Sequence, residues 1–179
     1  MPEEVLSSEH PYQGRALSLR VDTVRLASGR VTTREIVEHI PSVVMVPVDG
    51  EGNLLMVRQM RHAIDSTILE LPAGTTEPGE SPEECARREL REEVGHEPGH
   101  LEPLGGFYSA PGYASEYLYV FLATDLIANP AVAEDTEYIE PVRYPLTEVP
   151  RLIVSGEIED SKTLAGLYLY WLKKGSGQG

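Results

Sequence analysis

The stretch from Gly74 to His96, GTTEPGESPEECARRELREEVGH, combines a full set of helix signals with a crowd of carboxylates, and its reading decides the fold. Ser81 stands where an N-cap is wanted, Pro82 fits the first helical position, and Glu84 completes an S-x-x-E capping box. Gly95 supplies the positive-φ residue that ends the helix. At helical spacing Ala86, Leu90 and Val94 form one apolar stripe, the face that packs on a sheet, and Glu89, Glu92 and Glu93 fall on an arc beside it. These glutamates are related by i, i+3 and i, i+4 steps, and like charges so placed cost a helix roughly a few tenths of a kcal/mol per pair. Arg88, one turn before Glu92, offsets only part of the repulsion. A solvated acidic face explains the arc as it stands. A hard divalent cation explains it with a purpose, because Mg²⁺ takes carboxylate oxygens together with substrate phosphates.

Outward from the helix, strand signals precede and follow it. Ser42 to Val48 and Leu54 to Arg58 are short apolar runs separated by a Gly-containing turn, and Ile68 to Leu71 is a third, which predicts buried central strands. Leu118 to Ala123 and, more weakly, Ile139 to Tyr144 read as strands. Thr147 to Ser155 and Ser161 to Lys174 read as helices, the second with Leu164, Leu167, Tyr168, Trp171 and Leu172 at helical spacing. At the other end, Ala16 to Leu26 and Val31 to His39 flank the turn at Gly29 and predict an antiparallel hairpin. The expected organisation is a single domain over 1–174, with a hairpin region at about 12–40, a catalytic core at about 41–174 and a disordered tail at 175–179.

The chain of 179 residues carries 29 Asp plus Glu against 15 Lys plus Arg, a net charge of −14 that opposes binding to polymeric nucleic acid. Cys85 is the lone cysteine, and the N-terminus shows neither a basic region nor an apolar core of a secretion signal, so a cytoplasmic protein is expected. No apolar run approaches the length of a membrane span.

The stretch 74–96 resembles the Nudix box, with Gly74, Glu80, Arg88, Glu89, Leu90, Glu92, Glu93 and Gly95 at the required places and His96 replacing an aliphatic residue. The resemblance implies an α/β/α sandwich around a mixed sheet, here with the N-terminal antiparallel hairpin added. It implies Glu89 and Glu93 as direct metal ligands, Glu92 direct or through water, and the backbone carbonyl of Ala73 as a further ligand for Mg²⁺, with Mn²⁺ possible. Arg88 then orients the glutamates. The attacking water needs a base, and the resemblance points to the acidic loop before Ile139, with Glu137 favoured over Glu134 and Asp135.

Two further features resemble the branch of the family that cleaves ADP-ribose. Pro111 stands fifteen positions after His96 within Pro111-Gly112-Tyr113, and the text from Val57 to His62 and from Leu69 to Gly74 matches that branch. By that likeness Arg61 contacts the diphosphate, and Arg58, Glu70, Pro111, Gly112 and Tyr113 line the substrate. Arg58 and Arg61 also put positive charge just before the metal segment of an acidic chain. Tyr12, Tyr108 and Tyr113 are candidates to stack on adenine. The expected activity is hydrolysis of ADP-ribose to AMP and ribose 5-phosphate. FAD, NADH or GDP-mannose are alternative substrates, and a non-cleaving ADP-ribose sensor is a remote alternative that retention of every box glutamate disfavours. Relatives of this branch exchange N-terminal strands, which implies a homodimer.

Overall fold

The computed structural model describes residues 3–131 and 139–176 of the chain. The elements are β1 (Glu3–Gln13), β2 (Leu17–Leu26), β3 (Val31–His39), β4 (Ser42–Pro47), β5 (Asn53–Arg61), β6 (Ser66–Glu70), β7 (Ala73–Thr75), α1 (Pro82–Glu93), β8 (His96–Tyr108), β9 (Tyr117–Ala128), β10 (Ile139–Pro145), α2 (Val149–Val154) and α3 (Ser161–Ser176). A single 3-10 turn at His62–Ile64 follows β5. The residues gather into two compact units, 1–41 with 107–117 and 42–106 with 118–179.

The larger unit is organised around β4, whose residues are all buried. A strand with no exposed face needs cover on both sides. On one side Val43 and Met45 pack with Cys85, Ala86 and Leu90 of α1 and with Phe121 and Ala123 of β9. On the other side α3 comes close at Gly166, where an added Cβ would lie 2.8 Å from Leu71 Cδ1 and 3.5 Å from Val44 Cγ1. Glycine is what lets this helix lie against the sheet. The sheet runs β7-β4-β9-β8, with β4 antiparallel to β7 and parallel to β9, so it is mixed and sits between helices as expected. A second, antiparallel sheet runs β10-β5-β6, and Leu55 and Val57 of β5 join the core under α1. Among the described residues no helix is long and apolar enough to cross a membrane.

The smaller unit is a three-stranded antiparallel sheet, β1-β2-β3. The expected hairpin is β2 and β3. The third strand, β1, was not expected, because its residues are almost all exposed and so leave no alternation of apolar and polar positions. Residues 107–117 join this unit through β3: Val37 N–H donates to Tyr113 O at 2.8 Å and Ser115 N–H to Val37 O at 2.9 Å. β7 and β8 were likewise not expected, and α3 continues through Gly175 to Ser176, past its expected end. The rest of the expected tail, 177–179, lies outside the described residues.

Candidate active site

Helix α1 begins as its sequence dictates. The Ser81 hydroxyl accepts from Glu84 N–H at 3.3 Å, the Glu84 carboxylate accepts from Ser81 N–H at 2.9 Å, and Pro82 occupies the first turn. Val94 caps the C-terminus, and Gly95 follows with φ of +72°. The buried face of the helix holds Cys85, Ala86, Leu90 and also Glu93. Glu93 therefore sits further inward than the sequence suggests, at 7% exposure. The reason is β7, which pairs with β4 and brings the Ala73-Gly74 backbone over the helix. Ala73 N–H donates to Glu93 Oε2 at 3.0 Å. A Cβ on Gly74 would fall 1.9 Å from Glu89 Cδ, so the Glu89 carboxyl occupies space that any other residue at 74 would fill.

Arg88 gathers the remaining carboxylates. Its Nε donates to Glu80 Oε1 at 2.8 Å and Nη2 to Glu80 Oε2 at 3.0 Å; Nη1 donates to Glu89 Oε1 at 2.6 Å and to Glu92 Oε2 at 3.2 Å. Nη2 also donates to the Thr75 carbonyl at 3.2 Å. This planar fork is what an arginine offers and a lysine does not. Among the described residues no three metal-ligating side chains form a ready metal centre. Glu80, Glu89 and Glu92 converge on a guanidinium instead.

The electrostatics single out two carboxyls. Burial pushes Glu89 up to about 7 in spite of Arg88. Burial, reinforced by the charge of Glu89, pushes Glu93 up to about 8, against the pull of Ala73 N–H, Arg61 and Lys162. Glu80 differs, since its hydrogen bonds from Arg88 hold it below the usual carboxylate value. Desolvated like charges side by side are what a divalent cation relieves, and their hard oxygen donors suit Mg²⁺ or Mn²⁺. Glu89 and Glu93 fit such an ion on these grounds.

These shifts carry a consequence for stability. The folded chain binds protons on Glu89 and Glu93 that the unfolded chain, with ordinary values of 4.5, has already lost. Stability held by those protons is complete below the unfolded value and declines as pH rises through about 7 and about 8. Thermal unfolding in chelator is expected to show a melting temperature falling over that window, with Glu93→Gln flattening the decline. A melting temperature that rises across the window would contradict it.

The other expected site residues divide by location. Arg61 and Glu70 meet on β5 and β6, with Arg61 Nε donating to Glu70 Oε1 at 2.7 Å and Nη2 to Oε2 at 2.5 Å. Glu70 is 1% exposed and Arg61 39%, so only the arginine offers a solute a free edge. Arg58 Nη2 donates to the Tyr144 hydroxyl at 2.8 Å, across the β5–β10 pair. Pro111, Gly112 and Tyr113 are exposed and belong to the smaller unit, as do Tyr12 and Tyr108. Tyr108 already has an edge-on ring partner in Tyr117, at a centroid distance of 5.0 Å. Glu134, Asp135 and Glu137 lie outside the described residues. Lys162, Asp160 and Thr163, given no role on the sequence alone, join the Glu70 network; the signals available there were the Gly156–Asp160 stretch, which resembles the ADP-ribose-cleaving branch, and the Asp160-x-x-Thr163 spacing of a helix cap.

Comparison with known proteins adds five findings. Residues 38–166 match the sequence profile of the NUDIX domain, and residues 3–37 match the profile described as the nucleoside diphosphate sugar hydrolase N-terminal domain. A protein of Bacillus subtilis (strain 168) named ADP-ribose pyrophosphatase is 35% identical over 176 residues, 97% of this chain and 95% of its own. One of the same name from Mycobacterium tuberculosis (strain ATCC 25618 / H37Rv) is 39% identical over 167 residues, 92% of this chain and 81% of its own. A crystal structure of an ADP compounds hydrolase superposes with a TM-score of 0.88 at 27% identity, covering 100% of this chain and 97% of that one.

Proposed function

The chain belongs to the Nudix hydrolase family, and from that membership we propose that it cleaves the diphosphate of ADP-ribose with water, giving AMP and ribose 5-phosphate. The observation that carries the proposal is the pair Glu89 and Glu93, desolvated beneath the Ala73-Gly74 backbone, with Arg61 close enough to Glu93 to pull on its charge.

In this reading Glu89 and Glu93, the Ala73 carbonyl, and Glu92 directly or through water hold the cation, with Mg²⁺ preferred over Mn²⁺. When bound, a divalent cation screens the phosphate oxygens, orients the diphosphate and acidifies the attacking water. Arg88 keeps the glutamates at fixed places by hydrogen bonds to several of them at once. Arg61, tethered by Glu70, turns its exposed guanidinium edge to the diphosphate. Glu137, with Glu134 and Asp135 as its rivals, takes the proton of the water. Pro111, Gly112 and Tyr113 border the substrate, and one of Tyr12, Tyr108 and Tyr113 stacks on adenine. We also propose a cytoplasmic homodimer, for which the exposed Val5, Leu6 and Tyr12 on β1 supply contact surface.

The N-terminal match to a nucleoside diphosphate sugar hydrolase domain favours one second reading, a sugar nucleotide such as GDP-mannose as the main substrate. Assays of ADP-ribose, FAD, NADH and GDP-mannose with Mg²⁺ separate the two. ADP-ribose is expected to have the highest kcat/KM, and a higher value for any of the others would overturn the assignment.

A further inference from the structure

Glu70 is a buried carboxylate with two cationic partners. Besides the two hydrogen bonds from Arg61, its Oε2 accepts one from Lys162 Nζ. Lys162 lies in the first turn of α3 and donates as well to Asp160 at 2.9 Å. Asp160 caps that helix, accepting from Thr163 N–H at 3.0 Å and from the Thr163 hydroxyl at 2.6 Å. The Thr163 oxygen accepts in turn from Leu71 N–H at 2.8 Å. Two residues on, Ala73 N–H reaches Glu93, and between them the Pro72 carbonyl accepts from Met45 N–H at 3.0 Å.

The start of α3 thus grips the site at two points. Through Glu70 it fixes Arg61, and through Leu71 it fixes the turn whose backbone covers Glu89 and Glu93. Charge gives Lys162 a second part. Glu70 alone would cancel Arg61, and Asp160 already leans on the positive end of its helix and on Thr163. With Lys162 present, Arg61 and Lys162 balance Glu70 and Asp160; without it the group would carry a net negative charge beside Glu93 and leave Arg61 less attractive to an anion. At 16% exposure Lys162 is less open to a solute than Arg61, so it acts through its neighbours.

We propose that Lys162 is a positioning residue for the diphosphatase reaction: it holds Glu70 so that Glu70 aims Arg61, and with Asp160 and Thr163 it holds the Leu71–Gly74 turn against the helix carboxylates. The kinetic part of this inference rests on the function proposed above. The structural part does not.

A double-mutant cycle on the full chain with Mg²⁺ tests it. Lys162→Gln is expected to lower kcat/KM for ADP-ribose by about ten- to a hundredfold, the cost of misaiming a binding group. Lys162→Arg, which keeps the charge, is expected to recover most of the loss. Because Lys162 works through Arg61, adding Lys162→Gln to Arg61→Gln is expected to cost clearly less than it costs the wild type. Equal losses on both backgrounds, or wild-type kcat/KM for Lys162→Gln, would overturn the inference. Hydrogen exchange read without substrate supplies the second arm. Lys162→Gln is expected to speed exchange of the Leu71 and Ala73 amides severalfold while the amides of β4 keep their rates, and unchanged exchange at 71 and 73 would also overturn it. A wild type that turns over no ADP-ribose, with exchange responding as described, would reject the substrate and leave the link from α3 to the turn standing.

Discussion

Glu93→Gln is expected to lower kcat for ADP-ribose by about a thousandfold, with the fold intact. A bound cation supplies several kcal/mol of charge stabilisation to a reacting phosphoryl group, and each factor of ten in rate corresponds to roughly 1.4 kcal/mol. Losing the most buried carboxylate of the cluster removes a large share of that effect. The substitution nevertheless suits the folded chain. Glutamine keeps the shape and can still accept from Ala73 N–H, and it abolishes a charge that burial disfavours strongly enough to push its titration up to about 8. Loss of activity without loss of stability is therefore the signature, read by steady-state kinetics beside thermal unfolding near pH 8. Turnover at the wild-type rate would remove Glu93 from the site.

Arg88→Ala is expected to behave in the opposite way, losing stability and activity together. Its guanidinium holds Glu80 through two hydrogen bonds and touches Glu89, Glu92 and the Thr75 carbonyl, while these carboxylates are only 12 to 18% exposed. Removing one partner of a largely buried ion cluster leaves charge without compensation, at a cost of about 3 kcal/mol. For a domain of this size that lowers the melting temperature by about 10 °C. Arg88→Lys is expected to recover little, because one ammonium cannot span Glu80 and Glu92 as the fork does. A melting temperature within a degree or so of wild type for Arg88→Ala would show that the cluster is solvated and the guanidinium dispensable.

Much of this site could be read from the sequence because it is local. The capping box, the apolar stripe and the three glutamates lie within one helix, where period and spacing dictate neighbours. The Arg88 contact to Glu92 follows from the same geometry, whereas that to Glu89, one position on, does not. What escaped reading depends on partners far along the chain. Lys162 meets Glu70 across 92 positions, and only the folding of α3 over β4 brings them together. The burial of Glu93 comes from β7, three residues long and too short to announce itself. β8 escaped for a different reason. Pro98, Gly99, Pro103, Gly105 and Gly106 read as breakers, yet β8 ends the sheet order, where a missing donor or a bulge is tolerated. Gly99 even has a packing role, since a Cβ there would lie 2.9 Å from the Asp125 Cβ on β9. β1 escaped because an exposed strand has no buried face to imprint on its sequence.

Calorimetric titration of Mn²⁺ into chelator-treated protein near pH 7.5, run in two buffers of different ionisation enthalpy, tests the role of the helix carboxylates most directly. Ligands whose carboxyls titrate at about 7 and about 8 must give up protons to bind a metal, so saturable binding with proton release is expected, strongly weakened by Glu93→Gln. Absence of saturable binding even with a non-hydrolysable ADP-ribose analogue present, or binding that Glu93→Gln leaves unchanged, would contradict a cation held between Glu89 and Glu93.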